Sequence, residues 1–124
     1  MEFKFEELII WQKSMDFGES IFQLSCKFPK EEVYNLSSQI RRAVDSIAIN
    51  ISKGSIGQSN PEFQKFVDYA IQSLAEVVTC LHKSKRRKYI SESEFNVQCE
   101  FAFNLMNMMV DKSRKSGFRS TYGD

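Results

Sequence analysis

One run of side chains could do chemistry with an anionic partner: Lys83-Ser84-Lys85-Arg86-Arg87-Lys88, five cations in six positions. Clustered Lys and Arg attract phosphate, with an affinity that falls steeply with salt and depends little on base sequence. Lys83, Lys85, Arg86, Arg87 and Lys88, together with Arg41 and Lys53, are therefore the candidate nucleic-acid contacts. Arg42, Arg114, Lys115 and Arg119 are further cations that could join them. The bland reading of the run is a solvated helix end, where cations oppose the negative pole of the helix dipole. No interleaving of basic and aromatic residues of the kind that stacks single-stranded bases is evident.

A second constellation is polar. Gln39, Arg42, Ser46, Asn50 and Lys53 follow at spacings of three, four, four and three, which stacks them along one flank of a helix. Glu76 projects from the same side of a later helix as Tyr69, Ser73 and Cys80, and is expected to meet Arg42 across the fold. Polar groups at a core edge need partners, because a buried unsatisfied one costs about 1–3 kcal/mol. Gln39, Arg42, Ser46, Asn50 and Glu76 are accordingly read as a structural polar stripe rather than a catalytic set.

Signatures of catalysis are missing. His82 is the only histidine, near the basic run, where a solvated residue is expected rather than a ligand or general base. There is no E-x-x-H pair of the di-iron bundle kind, no G-x-x-x-x-G-K-[ST], no H-E-x-x-H and no nucleophile elbow. The three cysteines, Cys26, Cys80 and Cys99, are odd in number and have no C-x-x-C spacing. They read as small apolar side chains in a reducing compartment. The expectation is a non-enzymatic protein with no metal or cofactor.

These residues must be positioned by a small fold. The chain has 124 residues, a length that suits one domain, over 1–117, with a flexible tail at 118–124. Its net charge is +1, so attraction to nucleic acid must come from a local patch. Glycine and proline are scarce, 5 and 2 copies, which favours a few long helices over many short strands. Nothing resembles a signal peptide or the roughly 20-residue apolar run of a membrane helix, so the expected location is the cytoplasm.

Four periodic segments emerge. The first runs from about Glu7 to Lys27 and carries two apolar stripes. One is Leu8, Trp11, Met15, Gly18, Phe22 and Cys26; the other is Ile10, Phe17, Ile21, Leu24 and Phe28. Together they span roughly 200°, about twice the width of a single core face. Phe28-Pro29 should stop this helix. The second helix should start at Asn35 as cap and end near Gly54 or Gly57. Its core face is Leu36, Ile40, Ala43, Val44, Ile47, Ala48 and Ile51.

The third helix should open either at a Ser59/Glu62 capping box or with Asn60 as cap and Pro61 first. Its core positions are Phe63, Val67, Ala70, Leu74, Val77 and Leu81. The fourth opens at Ser91-Glu92-Ser93-Glu94, another capping box, with Ile90 and Phe95 as a hydrophobic staple. Phe95, Cys99, Ala102, Met106, Met109 and Val110 are its expected core face, and Phe101, Leu105 and Met108 its extra apolar surface. Gly117 is the expected stop.

Four such helices with short connections make an all-α, antiparallel up-down four-helix bundle. The first and fourth carry more apolar surface than one small core accommodates. A subunit interface is the favoured destination, with a wider monomer core as the alternative.

The run Phe28-Pro29-Lys30-Glu31-Glu32-Val33-Tyr34-Asn35-Leu36 follows the pattern F-P-x-x-E-x-x-x-L. It continues through Gln39-Ile40-Arg41-Arg42-Ala43, Ser46-Ile47 and Asn50-Ile51-Ser52-Lys53-Gly54. With Leu8-x-x-Trp11 upstream and Ser73-Leu74-Ala75-Glu76 downstream, the chain resembles the bacterial four-helix-bundle family of 23S rRNA intervening-sequence proteins. Accessory proteins of diversity-generating retroelements are distant relatives. The resemblance spans roughly Phe5 to Val110. It implies a bundle that assembles as a ring-like homo-oligomer, a pentamer. In the retroelement relatives that ring is positively charged, binds nucleic acid and contacts a reverse transcriptase. Two positions depart from the family's habit: Lys53 where N-I-x-E-G has Glu, and Gln72 where Gly is common.

Two function classes follow. One is a non-enzymatic oligomer that binds RNA or DNA through basic patches on a ring. The other is a scaffold that docks a partner protein without nucleic-acid binding.

Overall fold

The computed structural model describes residues 2–57 and 59–115. The expected stop at Gly117, the tail over 118–124 and Arg119 lie outside the described residues, as do the side chains of Arg114 and Lys115.

Four helices carry the fold: α1 (Ile9–Ser25), α2 (Leu36–Ser55), α3 (Asn60–Arg86) and α4 (Glu92–Lys115). No strand occurs among the described residues. Cross-helix pairs fix the directions. Gln39 reaches Glu76, Ser46 reaches Ser73, and Gly54 lies against Phe66, so α2 and α3 run oppositely. Gln64 bonds to Ser113 while Lys85 bonds to Glu92, which makes α4 antiparallel to α3. Phe17 packs on Phe101 and Lys27 pairs with Glu94, which sets α1 against α4 in the same sense. Each helix packs on the next in sequence and α1 closes the bundle on α4, the loosest of the four main pairings; α2 with α3 is the tightest.

Local chemistry explains most helix ends. At α3 the Ser59 hydroxyl accepts from the Glu62 amide at 3.2 Å, with Pro61 in the first turn, so Ser59 rather than Asn60 is the cap. At α4 both arms of the capping box form: Glu94 N–H donates to Ser91 Oγ at 3.0 Å, and Ser91 N–H donates to Glu94 Oε1 at 2.8 Å. Ile90 and Phe95 are both buried, as a staple requires.

Two boundaries differ from expectation. The helix expected from Glu7 splits, because Lys4–Glu7 forms its own 3-10 turn and Leu8 is extended before α1. Asn35 makes no side-chain cap; the first amide of α2, that of Leu36, donates instead to Glu32 Oε1. α2 ends at Ser55, between Gly54 and Gly57 as expected, and Gly54 is buried in its last turn. A Cβ there would stand 2.7 Å from Phe66 Cβ and 3.1 Å from the Phe63 carbonyl, so the missing side chain lets α3 approach closely.

The core is one cluster. All seven α2 positions expected to face inward are buried. In α3, Val67, Ala70, Leu74, Val77 and Leu81 are fully buried, with Phe63 packed at the edge. In α1 the stripe Ile10, Phe17, Ile21, Leu24 and Phe28 faces the core. The other stripe stays out: Met15 and Phe22 are exposed, Leu8 and Trp11 half-buried. Cys26 is exposed too, so of the three cysteines only Cys80 is a buried apolar side chain. In α4 the core line is rotated from expectation. Leu105 joins Phe95, Ala102 and Met109 inside, while Cys99, Met106 and Val110 are half-buried. The rotation also buries Gln98, whose amide exchanges hydrogen bonds with the Ser20 hydroxyl of α1.

Candidate nucleic-acid interface

The basic run ends α3. Lys88 takes a left-handed conformation, φ 64°, which allows Tyr89 N–H to bond the Ser84 carbonyl at 2.9 Å and Lys88 N–H the Lys85 carbonyl at 3.0 Å. That double closure is a Schellman stop, a place where glycine is the usual residue. It turns the chain sharply at the cationic end of the bundle.

The five cations do not form a uniform patch. Lys85 pairs with Glu92 at 3.0 Å and lies 4.4 Å over the Phe95 ring. Arg87 pairs with Glu32 at 3.0 Å. Arg86 and Lys88 are exposed and Lys83 half-exposed, and none of these three has an ion-pair partner among the described residues. Arg41, expected to join the patch, is committed to α1: its Nε donates to Ser25 Oγ at 2.7 Å and its guanidinium stacks 4.8 Å over Phe22. Lys53 is exposed but at the opposite end of α2, next to the Gly54–Phe66 approach. The seventeen steps from Phe66 to Lys83 span about 25 Å of helix at roughly 1.5 Å each. The seven candidates are thus two exposed cations and a half-exposed one at one end, one exposed cation at the other, and three engaged with neighbouring side chains.

The residue that organises the cationic end is Glu32, to which the sequence reading assigned no role. It is buried in the turn between α1 and α2 and accepts from Tyr89 Oη at 2.7 Å, Arg87 at 3.0 Å, Asn35 Nδ2 at 3.0 Å and the Leu36 amide at 3.3 Å. The Tyr89 hydrogen bond, the Leu36 amide and the Arg87 charge hold its carboxyl below the ordinary value of 4.5 against the opposing effect of desolvation. The same hydrogen bond raises the Tyr89 phenol. One signal was available: Glu32 is the acidic position of F-P-x-x-E.

The polar stripe lines the outer α2–α3 seam. Ser46 Oγ donates to Ser73 Oγ at 2.5 Å, and Asn50 Nδ2 donates to the Ser46 carbonyl at 2.8 Å. The expected Arg42–Glu76 pair does not form. Gln39 reaches Glu76 instead, at 3.5 Å, and the exposed Arg42 folds back on the Ser38 carbonyl at 3.4 Å. His82 is exposed with its ring 4.9 Å from Phe95. Burial pushes the Cys80 and Cys99 thiols up.

Among the described residues no three of His, Cys, Asp and Glu gather as a metal site requires, and no helix is long and apolar enough to cross a membrane. A solved protein of unknown function from the S23 ribosomal protein family of Bacteroides thetaiotaomicron VPI-5482 superposes with a TM-score of 0.79. It shares 21% identity over 85% of this chain and 98% of its own, a level at which the likeness carries the fold. No curated protein is similar enough to match. The family model described as 23S rRNA-intervening sequence protein matches residues 6–111, from the 3-10 turn to the last turns of α4. This chain therefore belongs to the 23S rRNA-intervening sequence protein family.

Proposed function

We propose that this chain is a non-enzymatic cytoplasmic module that assembles with copies of itself, as a ring of five by its resemblance to the family. The observation that carries the reading is the partly exposed apolar stripe of α1. Met15 and Phe22 are 45% and 44% exposed, Ile49 on the outward side of α2 is 50% exposed, and Ile56, just past its end, is 72% exposed. Burying such side chains against a copy stabilises by about 25 cal/mol per Å² of apolar surface removed from water. The polar stripe supports a non-catalytic role, because Ser46, Ser73, Asn50, Gln39 and Glu76 are engaged with one another or with backbone. Light scattering across a concentration series tests assembly: a mass several times 14.4 kDa is expected, and a persistent monomer overturns it.

A phosphate-binding role is carried by Lys83, Arg86 and Lys88. Repeated around a ring, three weakly attracting cations add through avidity. A gel shift with generic RNA and DNA across salt tests this; binding that is absent at low ionic strength removes it. The internal engagement of Lys85, Arg87 and Arg41 favours the other reading, a scaffold that docks a protein partner.

A further inference from the structure

The loosest of the main helix pairings, α1 with α4, leaves a groove between the two helices. Two hollows of about 380 Å³ each lie along it, lined mostly by apolar side chains and each roomy enough for an aromatic ring. The first is formed by Leu8, Ile9 and Ile10 against Met108, with the exposed acids Glu7 and Asp111 beside them. The second is formed by Phe101, Leu105 and Met108, with Lys13 and Asn104. Met108 lines both, so the hollows are one continuous groove. Ile9 in its wall is 59% exposed. At about 100° per residue, Ile9 and Lys13 stand at least about 120° round α1 from Met15 and Phe22. The groove therefore faces away from the surface assigned to a neighbouring copy.

We propose that residues 116–124 of the same chain turn back at Gly117 and close this groove, with Phe118 in the first hollow and Tyr122 in the second. The lengths agree. Asp111 of the first hollow and Asn104 of the second are seven residues apart on α4, about 10 Å at roughly 1.5 Å each. Phe118 and Tyr122 are four residues apart, about 13 Å of extended chain, and an extended chain presents both on one side. Lys115, the end of α4, stands about 16 Å of helix from Asn104, and the five residues from Gly117 to Tyr122 span about 17 Å. Charge agrees as well, since Arg119 follows Phe118 to the hollow that carries Glu7 and Asp111. A tethered segment is present at an effective concentration in the mM range, so a weak fit is enough to fill the groove. A separate peptide has no such advantage, which selects the chain's own segment as occupant. The proposal does not depend on assembly or on the cationic end.

The test is photo-cross-linking of the full chain with p-benzoylphenylalanine in place of Phe118, mapped by mass spectrometry. Cross-links should fall on Met108, Leu8 or Ile9. Isotopically light and heavy copies refolded together should give light–light and heavy–heavy products only. Ile9→Asp, at an exposed position, should cut the yield severalfold without loss of helix content. A second reading uses the methionine methyl signals in NMR spectra. Removal of residues 118–124 should move the Met108 methyl and leave that of Met15 in place. Absent cross-links, cross-links scattered over the surface, light–heavy products, or a Met108 signal indifferent to the removal would overturn the proposal.

Discussion

Tyr89 donates its phenolic proton to Glu32 across 2.7 Å, and thereby ties the turn after α1 to the turn after α3. Because the bond lowers the Glu32 pKa below 4.5, it adds stability that is present above that value and lost as pH falls through the folded-state pKa. The raised Tyr89 phenol works at the other extreme: its contribution is present below pH 10.0 and lost as pH rises through its folded-state pKa. Tyr89→Phe should therefore lower the melting temperature most near neutral pH, and the deficit should shrink in acid. A deficit that does not change with pH, followed by circular dichroism, would contradict this.

Two helical glycines should respond in opposite ways. At Gly54 a Cβ meets Phe66 and Phe63, and overpacking of that kind costs about 1–3 kcal/mol. At Gly18 nothing lies within 4 Å of the added carbon, and Gly-to-Ala in a helix interior stabilises by roughly 0.5–1 kcal/mol. Urea melts of Gly54→Ala and Gly18→Ala at a dilution that avoids assembly should show a loss and a gain.

Lys88 holds a left-handed backbone without being glycine. Lys88→Gly should raise stability by about 1 kcal/mol through relief at the Schellman stop. Lys88→Ala removes the charge but keeps the strain, and should be nearly neutral. Comparing the two by thermal melts separates backbone from charge; equal stability of both variants would refute the strain argument.

Among the described residues Arg42 bonds only its own helix, so Arg42→Ala should change stability by no more than about 0.5 kcal/mol. Ser46→Ala removes a bond across the seam and should cost about 1 kcal/mol. Denaturant midpoints of both variants check the order.

If a copy covers the outer stripe, Met15→Lys with Ile49→Lys should give monomers with unchanged helix content. Sedimentation velocity reads the outcome directly, and an intact assembly would move the interface elsewhere.

Helix identity and caps were legible because they are local. Ser59 and Ser91 cap where three-residue spacing to a Glu says they should, and the period of α2 places all seven inward positions. Rotation of α4 was not legible. Its apolar residues cover two flanks, so periodicity alone leaves the choice between Leu105 and Met106 to packing against Ser20 and Phe17. The basic run looked uniform because sequence hides which cation faces an acid. Glu32 lies 55 positions before Arg87, and only the meeting of two turns reveals the pair.

The Gly54 approach has a consequence for the order of folding. The tightest pairing joins two helices that are neighbours in sequence, linked by a short turn, so its loop-closure entropy is small. The central hairpin is then the natural nucleus, onto which the first and last helices condense. Amide exchange would register this as slowest opening in the middle of the chain and fastest opening where α1 meets α4.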